Sequence, residues 1–213
     1  TSQFVNLGRV LNAGHELTLN VTALDMRSGP HLDVTFSGST NTNRLLDLGN
    51  QPAIVFNPQR HAQGYPLGSY FQQKYTYADK NGDHIISRSE MTIGDTATAH
   101  EFIGPVLPTR QLAITPTFRY RGVQLNALFD MRGGNYLYND TEEFRCTSSA
   151  FSNCKAVSDS TAPLADQAAA IGKLLGTSYG YIQHAGYTKL RQLSATVDVP
   201  AALGRRMNVN NLA

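Results

Sequence analysis

Residues 79–90, DKNGDHIISRSE, carry oxygen-bearing side chains at a spacing that chemistry rarely asks for without a reason. Asp79, Asn81 and Asp83 fall at the first, third and fifth positions of a twelve-residue loop, the Ile85 carbonyl at the seventh, Ser87 at the ninth and Glu90 at the twelfth. That is the donor order of a calcium loop, in which a hard cation collects oxygens and a two-oxygen carboxylate closes the shell. Ile86 falls where such a loop needs an apolar anchor. The sixth position calls for a residue with positive φ, normally glycine, and here it is His84, which adopts that conformation more readily than a β-branched residue does. The spacing predicts calcium held by Asp79, Asn81, Asp83, Ile85, Ser87 and Glu90. The alternative is a solvated Asn-Gly turn, NGD between the β-rich flanks YTYA and HII, which needs no metal.

Other reactive side chains are sparse. Cys146 and Cys154 stand in the polar stretch CTSSAFSNC. A local disulfide formed in an oxidising compartment fits them better than a metal site, with two free thiols as the alternative. The six histidines, His15, His31, His61, His84, His100 and His184, are scattered through turns and loops without ligand spacing. His100-Glu101 lacks the second histidine of a zincin helix, and no nucleophile elbow occurs. The expectation is a protein that is not an enzyme.

The elements that would position the loop are strands. Over 213 residues the charged fraction is 16%, the net charge is +2, and ten Tyr and nine Phe stand beside no Trp. That is a β-leaning composition. The basic residues form no polybasic patch, so no nucleic-acid partner is expected. Leu17, Leu19, Val21 and Ala23 alternate with Glu16, Thr18, Asn20 and Thr22, and Leu32, Val34 and Phe36 with Asp33, Thr35 and Ser37, a hairpin turning at RSGP. RQLAITPTFRYRG and VQLNALFDMRGG form the clearest hairpin, turning at Arg121-Gly122. Leu193, Ala195, Val197 and Val199 alternate within a long strand that begins at GYIQH, and the chain closes with a turn at AALGRR and a strand at MNVNNLA. Residues 41–68 read as a loop with little regular structure, and FIGPVLPTR as a proline-punctuated turn. Residues 135–180 read as a long external loop carrying one short surface helix over 163–175, with Gly176 to end it.

The fold class is therefore all-β. Antiparallel strands with one apolar and one polar face suit a segment of a transmembrane β-barrel, with long loops, the EF-hand-like loop as an insert and the surface helix; the alternative is a soluble β-sandwich. Short turns alternating with long connections, and aromatic residues at strand ends (Tyr70, Phe71, Tyr75, Tyr77, Tyr136, Tyr138), favour the barrel, although cross-strand packing would also explain the tyrosines. The expectation is one partial-barrel domain over 1–213.

Several stretches, in order, resemble the SusC/RagA-type TonB-linked outer-membrane receptors. NLGRVLNAGHELTLNVTAL resembles their glycine- and asparagine-marked strand pair, with Gly8, Asn12, Gly14 and Glu16 in place. GYPLGSYFQQKYTYADKNGDHIISRSEMTIGD is similar to their G-x-P-hydrophobic-G turn, aspartate-rich loop and Ile-Gly dipeptide, here Ile93 and Gly94. PTRQLAITPTFRYRGVQLNALFDMRGGNYLYNDTEEFRC resembles the following hairpin, and GYIQHAGYTKLRQLSATVDVPAAL a strand near the family's C-terminus. The chain departs from the pattern at His84, at Thr188 and at Val197-Asp198-Val199-Pro200. The resemblance covers part of the C-terminal third of such a barrel, without plug domain, TonB box, first half or final strands. It implies a segment of a TonB-dependent transporter importing glycans or peptides across a bacterial outer membrane. Its partners would be the rest of the barrel or chains covering the sheet edges, the lipid bilayer and a surface lipoprotein. From the residues alone, the competing function is a calcium-stabilised structural or adhesive subunit of a larger assembly.

Overall fold

The structure, a computed structural model, describes residues 8–94, 101–147 and 153–198. Its strands are β1 (Arg9–Asp25), β2 (His31–Asp47), β3 (Ile54–Phe56), β4 (Gln59–His61), β5 (Ser69–Gln72), β6 (Tyr75–Tyr77), β7 (Met91–Ile93), β8 (Glu101–Gly104), β9 (Arg110–Tyr120), β10 (Val123–Gly133), β11 (Tyr136–Tyr138), β12 (Ile182–His184) and β13 (Tyr187–Val197). Its α-helices are α1 (Asp140–Thr147), α2 (Lys155–Ser158) and α3 (Leu164–Leu174). The span expected as one domain falls into two compact units: the described parts of residues 1–12, 42–107 and 134–185 make the first, and those of 13–41, 108–133 and 186–213 the second.

The second unit is a single sheet in the order β1-β2-β9-β10-β13. Thr22 donates to Asp33 and Thr35 to Asn20, so the first pair of strands steps in opposite directions, as the expected hairpin requires. Register keeps like with like. Phe36 lies opposite Ile114, Leu125 opposite Phe118, and Val123 opposite Val197, while Asp33 and Asn126 both face Thr117 and Gln124 faces Arg119. Because side chains alternate strictly between faces, in-register pairing collects every apolar row on one side. The β9–β10 turn places Arg121 at φ 50° and Gly122 at φ 76°. Two positive φ values in succession match strand twist in a two-residue hairpin.

Nothing among the described residues of this unit buries that apolar side: Leu17 is 70% exposed, Leu193 72% and Val197 51%. A sandwich would press these residues against a second sheet. The described residues of the unit form one sheet, and it is not a closed barrel either. One feature breaks the alternation. Leu128 pairs with Gln192 but Phe129 pairs with Leu190, so Arg191 is an extra residue in β13. The bulge reverses the phase of the strand. Odd-numbered residues are apolar after it, whereas before it Leu190 joins the apolar side and Lys189 and Tyr187 the polar one.

The first unit buries its apolar residues in the ordinary way. It holds a four-stranded sheet, β3-β4-β5-β8, and the strand pairs β6–β7 and β11–β12. Residues 41–68, expected to be loop, continue β2 to Asp47 and add β3 and β4. Phe102-Ile103-Gly104, read as part of a turn, belongs to the edge strand β8, which stops at Pro105 as an edge strand can. The long strand expected from GYIQH onward is two strands, β12 pairing with β11 and β13 with β10. Of the aromatic residues expected at strand ends, Tyr70 and Phe71 are buried in this unit, Tyr75 meets the Tyr179 ring edge-on and Tyr136 lies against His184, while Tyr77 is exposed.

The helix expected at the surface over 163–175 is α3, and it is core. Ala168, Ala169 and Ala170 are at most 4% exposed. Alanines add little to an amphipathic pattern, yet their small size lets neighbours close in. A Cβ added at Gly180 would collide with that of Ala169. Gly176 ends the helix as expected, with the Thr177 amide bonded to the Gly172 carbonyl and the Gly176 amide to that of Lys173, so the last carbonyls are not left open. The turn expected at AALGRR, the strand at MNVNNLA and Val199 lie outside the described residues.

Candidate metal loop and the helix that holds it

Residues 79–90 connect β6 to β7, which pair antiparallel from Tyr75–Ile93 to Tyr77–Met91. The two ends of the loop are fastened together by Glu90. Its Oε1 accepts the Lys80 amide at 2.9 Å, and its Oε2 accepts the Ser87 amide at 2.9 Å and the Ser87 hydroxyl at 2.7 Å. The Ala78 amide bonds to the Glu90 carbonyl across the same neck. Glu90 is 6% exposed. The Ser87 amide and hydroxyl, followed by the Lys80 amide, hold its carboxyl down to about 2, because each donor favours the charged form.

Each of the other expected side-chain donors except Ser87 folds inward onto backbone. Asp79 takes the Gly82 amide on Oδ1 and the His84 amide on Oδ2; the Asn81 side-chain oxygen takes the Asp83 amide, and Asp83 Oδ1 the Ile85 amide. These bonds leave lone pairs on each side-chain oxygen, because such an oxygen accepts more than one partner. His84 sits at φ 60°, so it takes the left-handed conformation that the sixth position needs. The donor set is all oxygen and carries three carboxylates, a chemistry that suits a hard cation, and Asp79, Asn81, Asp83, Ile85, Ser87 and Glu90 are the residues that would hold calcium. The carboxylate oxygens of Asp79, Asp83 and Glu90 do not converge into a three-ligand cluster; each is turned to the loop's own amides.

The loop is also held from outside. Ile86 is 3% exposed in a cluster with Met91 and Ala168. Gln167 of α3, 4% exposed, accepts the Ile86 amide at 2.9 Å and donates to the His84 and Ala162 carbonyls, each at 3.0 Å. One buried amide thus satisfies three backbone groups that would otherwise be orphaned. Sequence reading found the loop and missed its clamp, because a glutamine inside an alanine run carries no motif.

The opposite side of α3 packs on the disulfide. Cys146 and Cys154 are bonded, as expected, and share a cluster with Ala169, Ala170 and Tyr181. Glu142 lies with these sulfurs in the one cluster of potential metal-binding side chains found among the described residues, but sulfurs joined in a disulfide are spent as thiolate ligands. An ion pair between a half-buried lysine and a buried glutamate reinforces this side: Glu143 Oε1 lies 2.6 Å from Lys173 Nζ and accepts the Tyr138 hydroxyl at 2.6 Å. Burial, then the bond to Glu143, pushes the Tyr138 phenol above its ordinary value, since both disfavour the phenolate. Helix α1, which supplies Glu143 and Cys146, was also missed. Its signal was present in Asn139, whose side chain accepts the Glu142 amide, followed by Asp140, Glu142 and Glu143 in the first turn, a capping residue ahead of acids at the positive end of the helix.

No family model matches the sequence, and no curated protein is similar to it. Solved structures are similar. The chain superposes on part of a chain in the RagAB peptide importer in its closed-closed state with a TM-score of 0.72 and 17% identity. A RagAB peptide transporter structure gives 0.68 and 16%, and the importer's open-open state 0.67 and 18%. Each comparison covers 95% of this chain and 24% of the other, so this chain spans about a quarter of their length. At these identities the likeness is one of fold, and it is the fold that the SusC/RagA-type resemblance implies. Among the described residues no helix is long and apolar enough to cross a membrane.

Proposed function

We propose that this chain is a segment of a TonB-dependent outer-membrane transporter, a piece of barrel wall with external loops, and that the whole protein imports peptides or glycans. The observation that carries the reading is the sheet of the second unit, whose single apolar face is formed in register by five strands and left open. In water such a face is a liability; in a bilayer it is the required outer surface of a wall. The likeness to a part of RagAB chains described as a peptide importer points the same way.

The partners follow from the edges. β1 and β13 each have a strand on one side only within this sheet. In hydrocarbon every unpaired backbone group costs several kcal/mol, so further strands of the barrel must flank both. The bilayer of a bacterial outer membrane would cover the apolar face, and a surface lipoprotein would meet the external loops. Calcium in residues 79–90 would serve structure, holding the loop against α3, and has no place in catalysis.

Uptake decides the matter. Cells that make the full-length polypeptide should accumulate labelled peptides or glycans, and cells lacking its gene or lacking TonB should not. Equal uptake in all three would overturn the reading and favour a structural or adhesive subunit.

A further inference from the structure

We propose that Arg132, Lys189 and Arg191 form an anion-binding site for a ligand carboxylate on the polar face of the second unit's sheet. The cluster is built around Asp130, whose side chain is 15% exposed. Asp130 Oδ2 accepts Arg191 Nε at 3.0 Å and the Tyr187 hydroxyl at 3.1 Å, Oδ1 lies 3.4 Å from Arg132 Nε, and Arg191 Nη2 donates to the Tyr187 oxygen at 2.8 Å. Lys189 lies over the Tyr187 ring, 4.7 Å from its centroid. Two guanidinium groups therefore flank one carboxylate, with the Lys189 ammonium on the neighbouring Tyr187 ring.

The bulge at Arg191 brings this about. Without the phase change in β13, Lys189 and Tyr187 would fall on the apolar side; with it, they stand opposite Asp130 and Arg132. Asp130 pins the two guanidinium groups without exhausting them. Each guanidinium has five N–H donors, and Arg132 uses a single one in this network. A fixed guanidinium with a free edge is preorganised for a second planar carboxylate. Asp130 and Arg132 also line a hollow of about 320 Å³, together with the small residues Ser37, Gly38, Ser39 and Ala113 and with Glu16. The hollow gives a solute carrying that carboxylate somewhere to lie.

The carboxylate could be that of an acidic peptide or of a uronic acid. The inference rests on the transporter reading only in that this face must meet water. The test uses the full-length polypeptide in detergent, titrated calorimetrically with a Glu-containing tetrapeptide, its Gln-containing amidated counterpart, and a digalacturonate. Tighter binding of the acidic peptide, or of the digalacturonate, identifies the source. Arg132→Gln and Lys189→Gln should each weaken it about tenfold, as expected for losing a bond to a charged group. The Lys189 side chain makes no hydrogen bond among the described residues, so its variant keeps Asp130 and both arginines in place. Affinity no tighter for the acidic peptide or the digalacturonate than for the neutral peptide, or no change in either variant, would overturn the site. A cysteine introduced by Ser37→Cys and probed with a polar maleimide separates the two readings: labelling without acidic preference sinks only the anion site, and no labelling sinks the water-filled face as well.

Discussion

The two units are built from the same kind of chain and solve opposite problems. The first hides its apolar residues from water within itself, around alanines of α3, the disulfide and a few buried aromatic rings. The second presents a continuous apolar face with none of its described large side chains buried. Alternation of apolar and polar residues is common to both, so it does not say which solvent a strand is meant for. What distinguishes them is whether anything within the unit covers the apolar rows. Where nothing does, the stabilising surroundings must come from outside.

The sharpest way to break that comparison is a charge on the open face. Leu193→Arg should cost about 2–4 kcal/mol for a side chain at bilayer depth, against at most about 0.5 kcal/mol for an exposed site in water. Urea titration of the full-length polypeptide refolded into lipid vesicles measures it, and a loss near the lower figure would return the unit to the soluble proteins. In the first unit the largest effect should come from the disulfide. Cys146→Ser with Cys154→Ser opens a short covalent loop and should lower stability by about 2–3 kcal/mol on the chain-entropy account. Hydrogen exchange should show the loss in α1 and α3 and leave the protection of β9 and β10 unchanged; equal loss in both units would mean that they are not separable.

A more local effect is expected at the clamp. Gln167→Ala removes the partner of the buried Ile86 amide and of two carbonyls, at about 1–3 kcal/mol for each group that water does not reach. The amides of 79–90 should exchange faster while those near Cys146 hold, and unchanged loop exchange would show that the clamp is idle. Calcium sharpens the same point. Added calcium should slow exchange in 79–90, and Asp79→Ala with Glu90→Ala should abolish that slowing; protection that is the same with and without the ion would argue against a metal loop.

The mildest probe is acid. Glu90 is held at about 2 in the folded loop, below its ordinary 4.5. A carboxyl lowered in the folded state contributes stability that is complete above the ordinary value and is lost as the pH falls through the folded one. Protection of the Lys80 and Ser87 amides, relative to their intrinsic exchange rates at each pH, should fall across that window, and Glu90→Gln should remove the dependence.

Legibility followed what each feature rests on. The strands of the second unit were readable because period two and a paired register use the same residues, as at Leu125 and Phe118. The Arg121-Gly122 turn was readable because two alternating runs stand only that pair apart, with a glycine in it. At 79–90 the spacing marked a connection between two strands, and His84 takes the positive φ expected at its sixth position; calcium at that loop is a proposal. The clamp at Gln167 was not readable, since nothing local ties a helix residue to a loop so distant in the chain. The burial of α3 was misjudged because alanines mark a close approach rather than an apolar stripe. The bulge at Arg191 was invisible, because KLRQLSATV alternates plausibly from either end and only the partner strand shows where the phase changes.

That phase change gives β13 an unusual relation to length. Its two halves meet at one added residue, so removal of Arg191 would set Leu190 beside Gln192 and leave the strand alternating in a single frame, with Leu190, Leu193 and Val197 still among the apolar rows and Lys189 and Tyr187 still opposite Asp130 and Arg132. Removal of any other single residue within the strand would turn one part of it over. A lineage could lose a residue here at one place only, and the loss would take a guanidinium from Asp130 while sparing the register.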